Sequence, residues 1–189
     1  MALPQIEEEW GQELEAKQRY AIVFAVEMSL EMVGAVPHTP SAMESLRKYG
    51  DGASVAVQLA SFIANLGYSA TANHLSYYEG MLVPMAVDAG PGEVGRIGYL
   101  MTKEFGARQR LGAVTTDLPL IPDVPVDIGI KDFCDICKKC AVCCPANSIP
   151  QDDPGEVNGT LRWKLNAESC FEYWGKVGTE CCICMRVCP

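Results

Sequence analysis

The chain has 189 residues, 49% of them apolar, and a formal net charge of −9. That apolar content is enough for a buried core in one large domain or two small ones, while the acidic balance argues against nucleic acid, which selects clustered Lys and Arg. No stretch of roughly 18 uncharged apolar residues is present to span a bilayer, and residues 1–9 have neither the basic nor the apolar region of a secretory signal.

Residues 1–19 are rich in Glu and read as a solvated helical lead-in. Tyr20 to Met28 (YAIVFAVEM) is a continuous apolar run with β-branched residues, which predicts a buried strand. After Pro37 and Pro40, Ser41 is placed to cap a helix running toward Arg47. Gly50 and Gly52 predict a break. Beyond it Val55, Leu59, Phe62, Ile63 and Leu66 recur at helical spacing, a core stripe that Gly67 ends. Residues 68–73 read as a short strand, and residues 81–89 are apolar around Pro84. Gly90, Gly92, Gly95 and Gly98 punctuate a loop, and strands broken by Gly106 are expected between Arg96 and Thr116. A Pro-rich link from Leu118 to Pro125 leads into a cysteine-rich segment, so the domain division falls at 1–19, 20–125 and 126–189. Residues 151–160 (QDDPGEVNGT) read as a surface loop.

All ten cysteines lie within residues 134–188. They form two runs, Cys134-x2-Cys137-x2-Cys140-x3-Cys144-Pro145 and Cys181-x2-Cys184-x3-Cys188-Pro189, with Cys170 upstream of the second as a candidate fourth thiolate. Cys-x2-Cys-x2-Cys-x3-Cys-Pro is the bacterial pattern for [4Fe–4S] clusters, in which the fourth Cys of each run ligates the other cluster. Two such runs imply a pair of clusters close enough to exchange electrons. The three-residue spacing favours convergence on a shared inorganic centre over bridging to distant strands. Zinc is the alternative, but it gives no reason for two Cys-x3-Cys-Pro endings. Cys143 and Cys182 fall outside the repeat and read as packed or free thiols, and neither His38 nor His74 sits in a metal-binding motif. Gly90-x-Gly92-x-x-Gly95 matches the dinucleotide fingerprint only weakly. Pro84 and Pro91 flank it, so a glycine loop that turns tightly or lets backbone approach a ligand is the better reading. Arg96, Arg108 and Arg110 gather around it, as paired or solvated side chains or as an anion site.

Several blocks in one order resemble the corrinoid-dependent reductive dehalogenases. They are Ala89 to Gly98 (AGPGEVGRIG), Glu104 to Arg108 (EFGAR), Thr116 to Leu120 (TDLPL), Phe133 to Cys140 (FCDICKKC), and Cys170-x2-Tyr173-Trp174 with Gly178-Thr179 and the second cysteine run. The resemblance covers about residues 20–189. It implies an α/β (α+β) fold, with a nitroreductase-like corrinoid-binding domain followed by a ferredoxin-like double [4Fe–4S] domain. It also implies an oxidoreductase that replaces a carbon–halogen bond by carbon–hydrogen with two electrons and a proton. The implied cofactors are two [4Fe–4S] clusters and a cobalamin-type corrinoid without a protein His ligand to cobalt.

The same resemblance casts Tyr49 as the proton donor. Arg108 is then the cation beside it and a binder of the leaving halide, Asn73 orients substrate or donor, and Gly90, Gly92, Gly95, Arg96 and Gly98 bind the corrinoid. By the reciprocal pattern, one cluster takes Cys134, Cys137, Cys140 and Cys188, the other Cys144, Cys170, Cys181 and Cys184. The implied partners are a small organohalide, an electron donor and a small membrane anchor subunit, at the outer face of the cytoplasmic membrane or in the periplasm. Members of that family are longer, opening on a twin-arginine export signal and continuing past the second run, so this chain is expected to be an internal piece. Two other functions compete. One is epoxyqueuosine reductase, a related corrinoid enzyme acting on transfer RNA, which a charge of −9 does not favour. The other is a non-catalytic electron-transfer iron–sulfur protein, for which the long segment before residue 134 is superfluous.

Overall fold

The computed structural model describes residues 6–7, 13–14, 17–75, 77–157 and 160–189. In chain order its elements are β1 (Ile6–Glu7), β2 (Glu13–Leu14), β3 (Tyr20–Glu27), α1 (Leu30–Gly34), α2 (Thr39–Asn65), β4 (Ala70–Asn73), α3 (Leu82–Asp88), β5 (Gly92–Val94), β6 (Leu100–Thr102), β7 (Gln109–Thr116), α4 (Ile130–Cys137), α5 (Lys139–Val142), β8 (Gly155–Val157), β9 (Thr160–Arg162), α6 (Ala167–Val177) and α7 (Ile183–Val187). No helix among the described residues is long and apolar enough to cross a membrane.

The chain folds as two units that interleave in sequence. The first takes the chain up to Val26, then Arg47–Pro91 and Arg110–Pro125; the second takes Glu27–Leu46, Gly92–Gln109 and Val126–Pro189. A serial division at residue 125 is thereby corrected. The physical reason is core supply. Neither α4 nor α6 contains a fully buried residue, and a segment this short cannot build a sufficient core alone. It borrows apolar side chains from residues 27–46 and 92–109.

In the first unit, β3, β7 and β4 form a sheet in that order. β4 runs antiparallel to β7, with Ala70 opposite Thr116 and Asn73 opposite Ala113. The β-branched and aromatic content of β3 suits this half-buried pleated surface. Ala56, Ala60 and Ile63 of α2 are buried with Val114 of β7, and Ile22 and Phe24 of β3 pack against them. The expected stripe on this helix is corrected: Ile63 is buried, but Val55 is 45%, Phe62 59% and Leu66 53% exposed. The face that packs is the one whose alanines allow a close approach to the sheet, not the one with the bulkiest apolar residues.

The break at Gly50 and Gly52 is also corrected, because α2 runs unbroken from Thr39 to Asn65. Ser41 lies inside that helix, where its backbone N–H and its hydroxyl both donate to the His38 carbonyl. Gly67 does end the helix, in the left-handed conformation at φ +92°. Residues 82–88 form α3, with Pro84 in the first turn where a missing N–H costs nothing. The helical lead-in is corrected where it is described, since Ile6–Glu7 and Glu13–Leu14 pair as antiparallel strands. The rest of residues 1–16 lies outside the described residues.

In the second unit the expected glycine loop is a hairpin, β5 with β6, that sets Gly92 opposite Thr102. β8 and β9 likewise pair, Gly155 opposite Arg162, where a plain loop is expected from the sequence. Met28, Val33, Ile97, Met101, Ala141 and Met185 are buried together, and half-buried Cys140, Cys144, Cys184 and Cys188 pack against them. Each large apolar side chain in that core contributes about 1.5–3 kcal/mol. The thiols are thus built into the core of this unit.

Candidate metal centre and active site

The cysteine runs are laid out on short helices with sharp corners. Cys134 and Cys137 lie on α4, Cys140 on α5, Cys170 on α6 and Cys184 on α7, while Cys188 terminates α7. Lys138, between α4 and α5, and Cys182, before α7, both adopt positive φ, 51° and 50°. A left-handed non-glycine residue costs on the order of 1–3 kcal/mol and persists only where surroundings demand it. Here each corner turns the chain inside a Cys-x2-Cys spacing, so that thiols on either side address the same space.

Two hollows result. One, about 310 Å³ including the part open to solvent, is lined by Cys134, Cys137, Cys140 and Cys188 together with Arg96 and Met101. The other, about 540 Å³ on the same measure, is lined by Cys144, Cys170, Cys181 and Cys184 with Tyr173 and Trp174, and also by Cys182, which lies outside the repeat. Each hollow takes three thiols from one stretch of sequence and one from the other: Cys188 joins the first run, and Cys144 joins the second. Among the described residues no three His, Cys, Asp or Glu side chains converge on a point as a single metal ion needs.

Electrostatics agree with this grouping. Burial pushes the Cys140 thiol up to about 11, helped by Cys134 and Cys188. Burial pushes Cys184 up to about 12, with Cys181 and Cys170 as the next causes. Burial is also the first cause raising Cys134, Cys170, Cys181 and Cys188, and thiols of their own hollow add to it, while Arg96 pulls Cys134 down and the Ile183 N–H pulls Cys181 down. Packed thiols of this kind are neutral when the hollow holds no metal and must shed protons to bind one. Of the two cysteines outside the repeat, Cys143 is exposed. Cys182 is buried and donates its S–H to Glu180 Oε2 at 3.2 Å, an oxygen that also accepts from the Ser45 hydroxyl at 2.8 Å.

The β5–β6 hairpin holds the first cysteine run at two points. Glu93 Oε2 accepts from the backbone N–H groups of Ile128 at 2.6 Å and Ile130 at 3.1 Å, fastening the start of α4. Arg96, wholly buried, donates from Nε and Nη2 to the Cys134 carbonyl at 3.1 and 3.0 Å, and from Nη1 to the carbonyls of Pro150 at 2.8 Å and Asp152 at 2.9 Å. Its guanidinium lies over the Trp163 ring, 4.4 Å from the centroid. Three residues of the block expected to bind a corrinoid have internal roles. Arg96 is consumed by internal bonds. A side chain on Gly92 would run into the Met101 carbonyl, and one on Gly95 would come within 2.6 Å of the Met101 side chain. These glycines serve the packing of the hairpin. Gly90 and Gly98 take positive φ, 85° and 75°, as turn residues.

A second constellation lies in the first unit. Tyr49, half-buried on α2, has the Arg110 guanidinium over its ring at 5.0 Å from the centroid. Tyr78 belongs to the same group; its hydroxyl is raised above the ordinary 10.0 by burial and then by Tyr49, while Arg110 pulls it down. Arg108 is not the cation at Tyr49, which corrects that expectation. It donates to the Met28 carbonyl at 2.7 Å and pairs with Glu27 Oε1 at 3.3 Å. Asn73 is also corrected as a substrate-orienting residue. It is fully buried, its Nδ2 donates to the Thr71 carbonyl at 3.1 Å and to Thr115 Oγ1 at 3.2 Å, and its Oδ1 accepts from the Glu79 N–H at 2.6 Å. Tyr78 and Trp163 are the residues that sequence reasoning passes over, and Arg110, noted there only as paired, solvated or part of an anion site, is not linked to Tyr49. A register for β7 separates Arg110 from Arg108, whereas nothing local marks Tyr78 or Trp163.

No family model matches the chain. It is 37% identical to a tetrachloroethene reductive dehalogenase of Desulfitobacterium hafniense, across 96% of this chain and 35% of that protein. It superposes on a solved reductive dehalogenase, described in terms of B12-dependent dehalogenation, with a TM-score of 0.89 and 35% identity over 100% of this chain and 27% of the other. An epoxyqueuosine reductase of Lactococcus garvieae is 35% identical over a smaller share, 57% of this chain and 31% of that protein. The chain spans about a third of the length of the curated dehalogenases it matches. Identity across nearly the whole of this chain and superposition over all of it point the same way as the cysteine-lined hollows: the chain belongs to the reductive dehalogenase family.

Proposed function

We propose that this protein removes halogen from a small organohalide by the reaction R–X + 2 e− + H+ → R–H + X−. The observation that carries the reading is that the eight repeat cysteines line two hollows, four in each, with one of each four taken from the other's run; Cys182, on the wall of the second hollow, is instead bonded to Glu180. Cys134, Cys137, Cys140 and Cys188 would hold one [4Fe–4S] cluster, and Cys144, Cys170, Cys181 and Cys184 the other. When bound, the pair supplies one-electron relays. The second unit is then the ferredoxin-like part of the molecule, and the first is part of a nitroreductase-like catalytic domain.

Tyr49 gives the proton to the carbon that loses its halide. Arg110, over the ring, is placed to compensate the negative charge left on the phenolate. Arg108 and Asn73 hold the frame. A corrinoid is proposed from kinship with the B12-dependent relative, and Gly92, Gly95 and Arg96 are not assigned to it. Residence at the outer face of the cytoplasmic membrane, beside a small anchor subunit, is proposed on the resemblance alone. The epoxyqueuosine reading has the shorter match and a charge ill suited to RNA.

The test is anaerobic reconstitution with iron, sulfide and cobalamin, followed by metal counting and chloride release from tetrachloroethene under a low-potential donor. About eight irons per chain, four per cluster, are expected, and Cys188→Ser should leave about four. Zinc in place of iron sinks the cluster assignment, and full iron without chloride release reduces the protein to an electron carrier.

A further inference from the structure

Arg96 is fully buried, and its hydrogen-bond partners are all backbone carbonyls. Among the described residues no carboxylate forms an ion pair with it. Burying a guanidinium against neutral partners costs several kcal/mol unless a counter-charge is near. The Trp163 face, 4.4 Å from the guanidinium carbon, is a neutral partner and supplies no counter-charge. The remaining candidate for the counter-charge is the hollow that Arg96 helps to line, with Cys134, Cys137, Cys140 and Cys188 on its walls. The Arg96 backbone N–H also donates to Cys134 Sγ at 3.5 Å.

We propose that Arg96 is the counter-ion and positioning residue of the cluster held by Cys134, Cys137, Cys140 and Cys188, and that its charge raises that cluster's reduction potential without acting equally on the other. The inference rests on the cluster reading above. The chemistry is direct: four thiolates around an iron–sulfur core carry net negative charge, which grows by one on reduction, so a fixed buried cation favours the reduced form. Hydrogen bonds to the ligating sulfurs act in the same direction. Arg96 meets the second requirement through its main chain and the first through its side chain.

The experiment is a dithionite titration of the reconstituted full chain, followed by electron paramagnetic resonance, on the parent, Arg96→Met and Arg96→Lys. Cys188→Ser identifies which signal belongs to the cluster in question. Arg96→Met is expected to lower the midpoint potential of that cluster and leave the other in place, while Arg96→Lys restores most of the parent value. If Arg96→Met fails to keep this cluster, its retention in Arg96→Lys at close to the parent potential supports the inference, and its retention at a clearly lowered potential overturns it. An unchanged potential in Arg96→Met, equal shifts in both variants, loss of the cluster from both, or a joint shift of both clusters overturns it. Absence of iron from the parent chain is a separate outcome, which removes the cluster reading and this inference with it.

Discussion

At the scale of single residues the chemistry turns on which arginine meets Tyr49. Tyr49 can be named from the family resemblance, and Arg108 and Arg110 lie two positions apart, a spacing that places both on one face if the strand holds both. β7 begins at Gln109, so Arg108 precedes the ladder and spends its charge on Glu27 and the Met28 carbonyl. Arg110 lies within the ladder and reaches the ring. Strand registration decides this, and a local sequence does not contain it. Tyr49→Phe should lower the rate of dehalogenation by about 10²–10⁴-fold, the usual worth of a positioned proton donor, while the clusters still reduce normally. Tyr78 provides a readout of the same group without substrate. Its hydroxyl is raised above 10.0 by burial first and by Tyr49 second. A group whose folded pKa lies above its unfolded one contributes stability below the unfolded value and loses it as the pH climbs through the folded value. Stability should therefore fall above about pH 10, and less so in Tyr78→Phe. A phenolate absorbance titration, with Tyr78→Phe as the blank, should show Tyr78 moving down in Tyr49→Phe and up in Arg110→Gln. Movement of neither would dissolve the constellation.

At the scale of elements, legibility divided by mechanism. The cysteine runs could be read because their spacing is set by inorganic geometry, which acts over three or four residues. β3 and the Gly67 helix stop could be read for similarly local reasons, a β-branched run and a left-handed C′ position. The course of α2 could not. Gly50 and Gly52 look like a break, and the bulky apolar residues beyond them look like the packed face. In the folded chain the helix continues through both glycines and packs by Ala56, Ala60 and Ile63. Tertiary contact with the sheet outweighs the roughly 1 kcal/mol per glycine that propensity charges against the helix. A consequence can be measured. Gly50 is exposed and helical, and a Cβ added there meets nothing within 4 Å. Gly50→Ala should therefore stabilise the chain by about 0.5–1 kcal/mol, seen as a higher urea midpoint at unchanged slope. A lower midpoint would mean that the chain bends at Gly50 after all.

At the scale of the whole molecule, the decisive feature is that the two units are not consecutive. The link from Leu118 to Ile128 has no regular structure and is exposed, Ile121 by 97% and Val124 by 73%, which makes it the natural place for a protease to enter. In a serial arrangement, a cut there would release the cysteine-rich part as a separate body. The interleaved arrangement predicts otherwise, because residues 126–189 are fastened within their own unit to chain from before the cut. Arg96 grips the carbonyls of Cys134, Pro150 and Asp152, Glu93 takes the N–H groups of Ile128 and Ile130, and Ser45 bonds Glu180. Met28, Val33, Ile97 and Met101 are buried with Ala141 and Met185 in one core. Cleavage of the reconstituted chain before Asp123 or Asp127 by an aspartate-directed protease should therefore give two bands on a denaturing gel. On a native sizing column the two pieces should still elute as one species, with iron and absorbance retained. Separation of the pieces would show that the contacts from residues 27–46 and 92–109 do not hold the cysteine-rich segment, and the serial division would stand in their place.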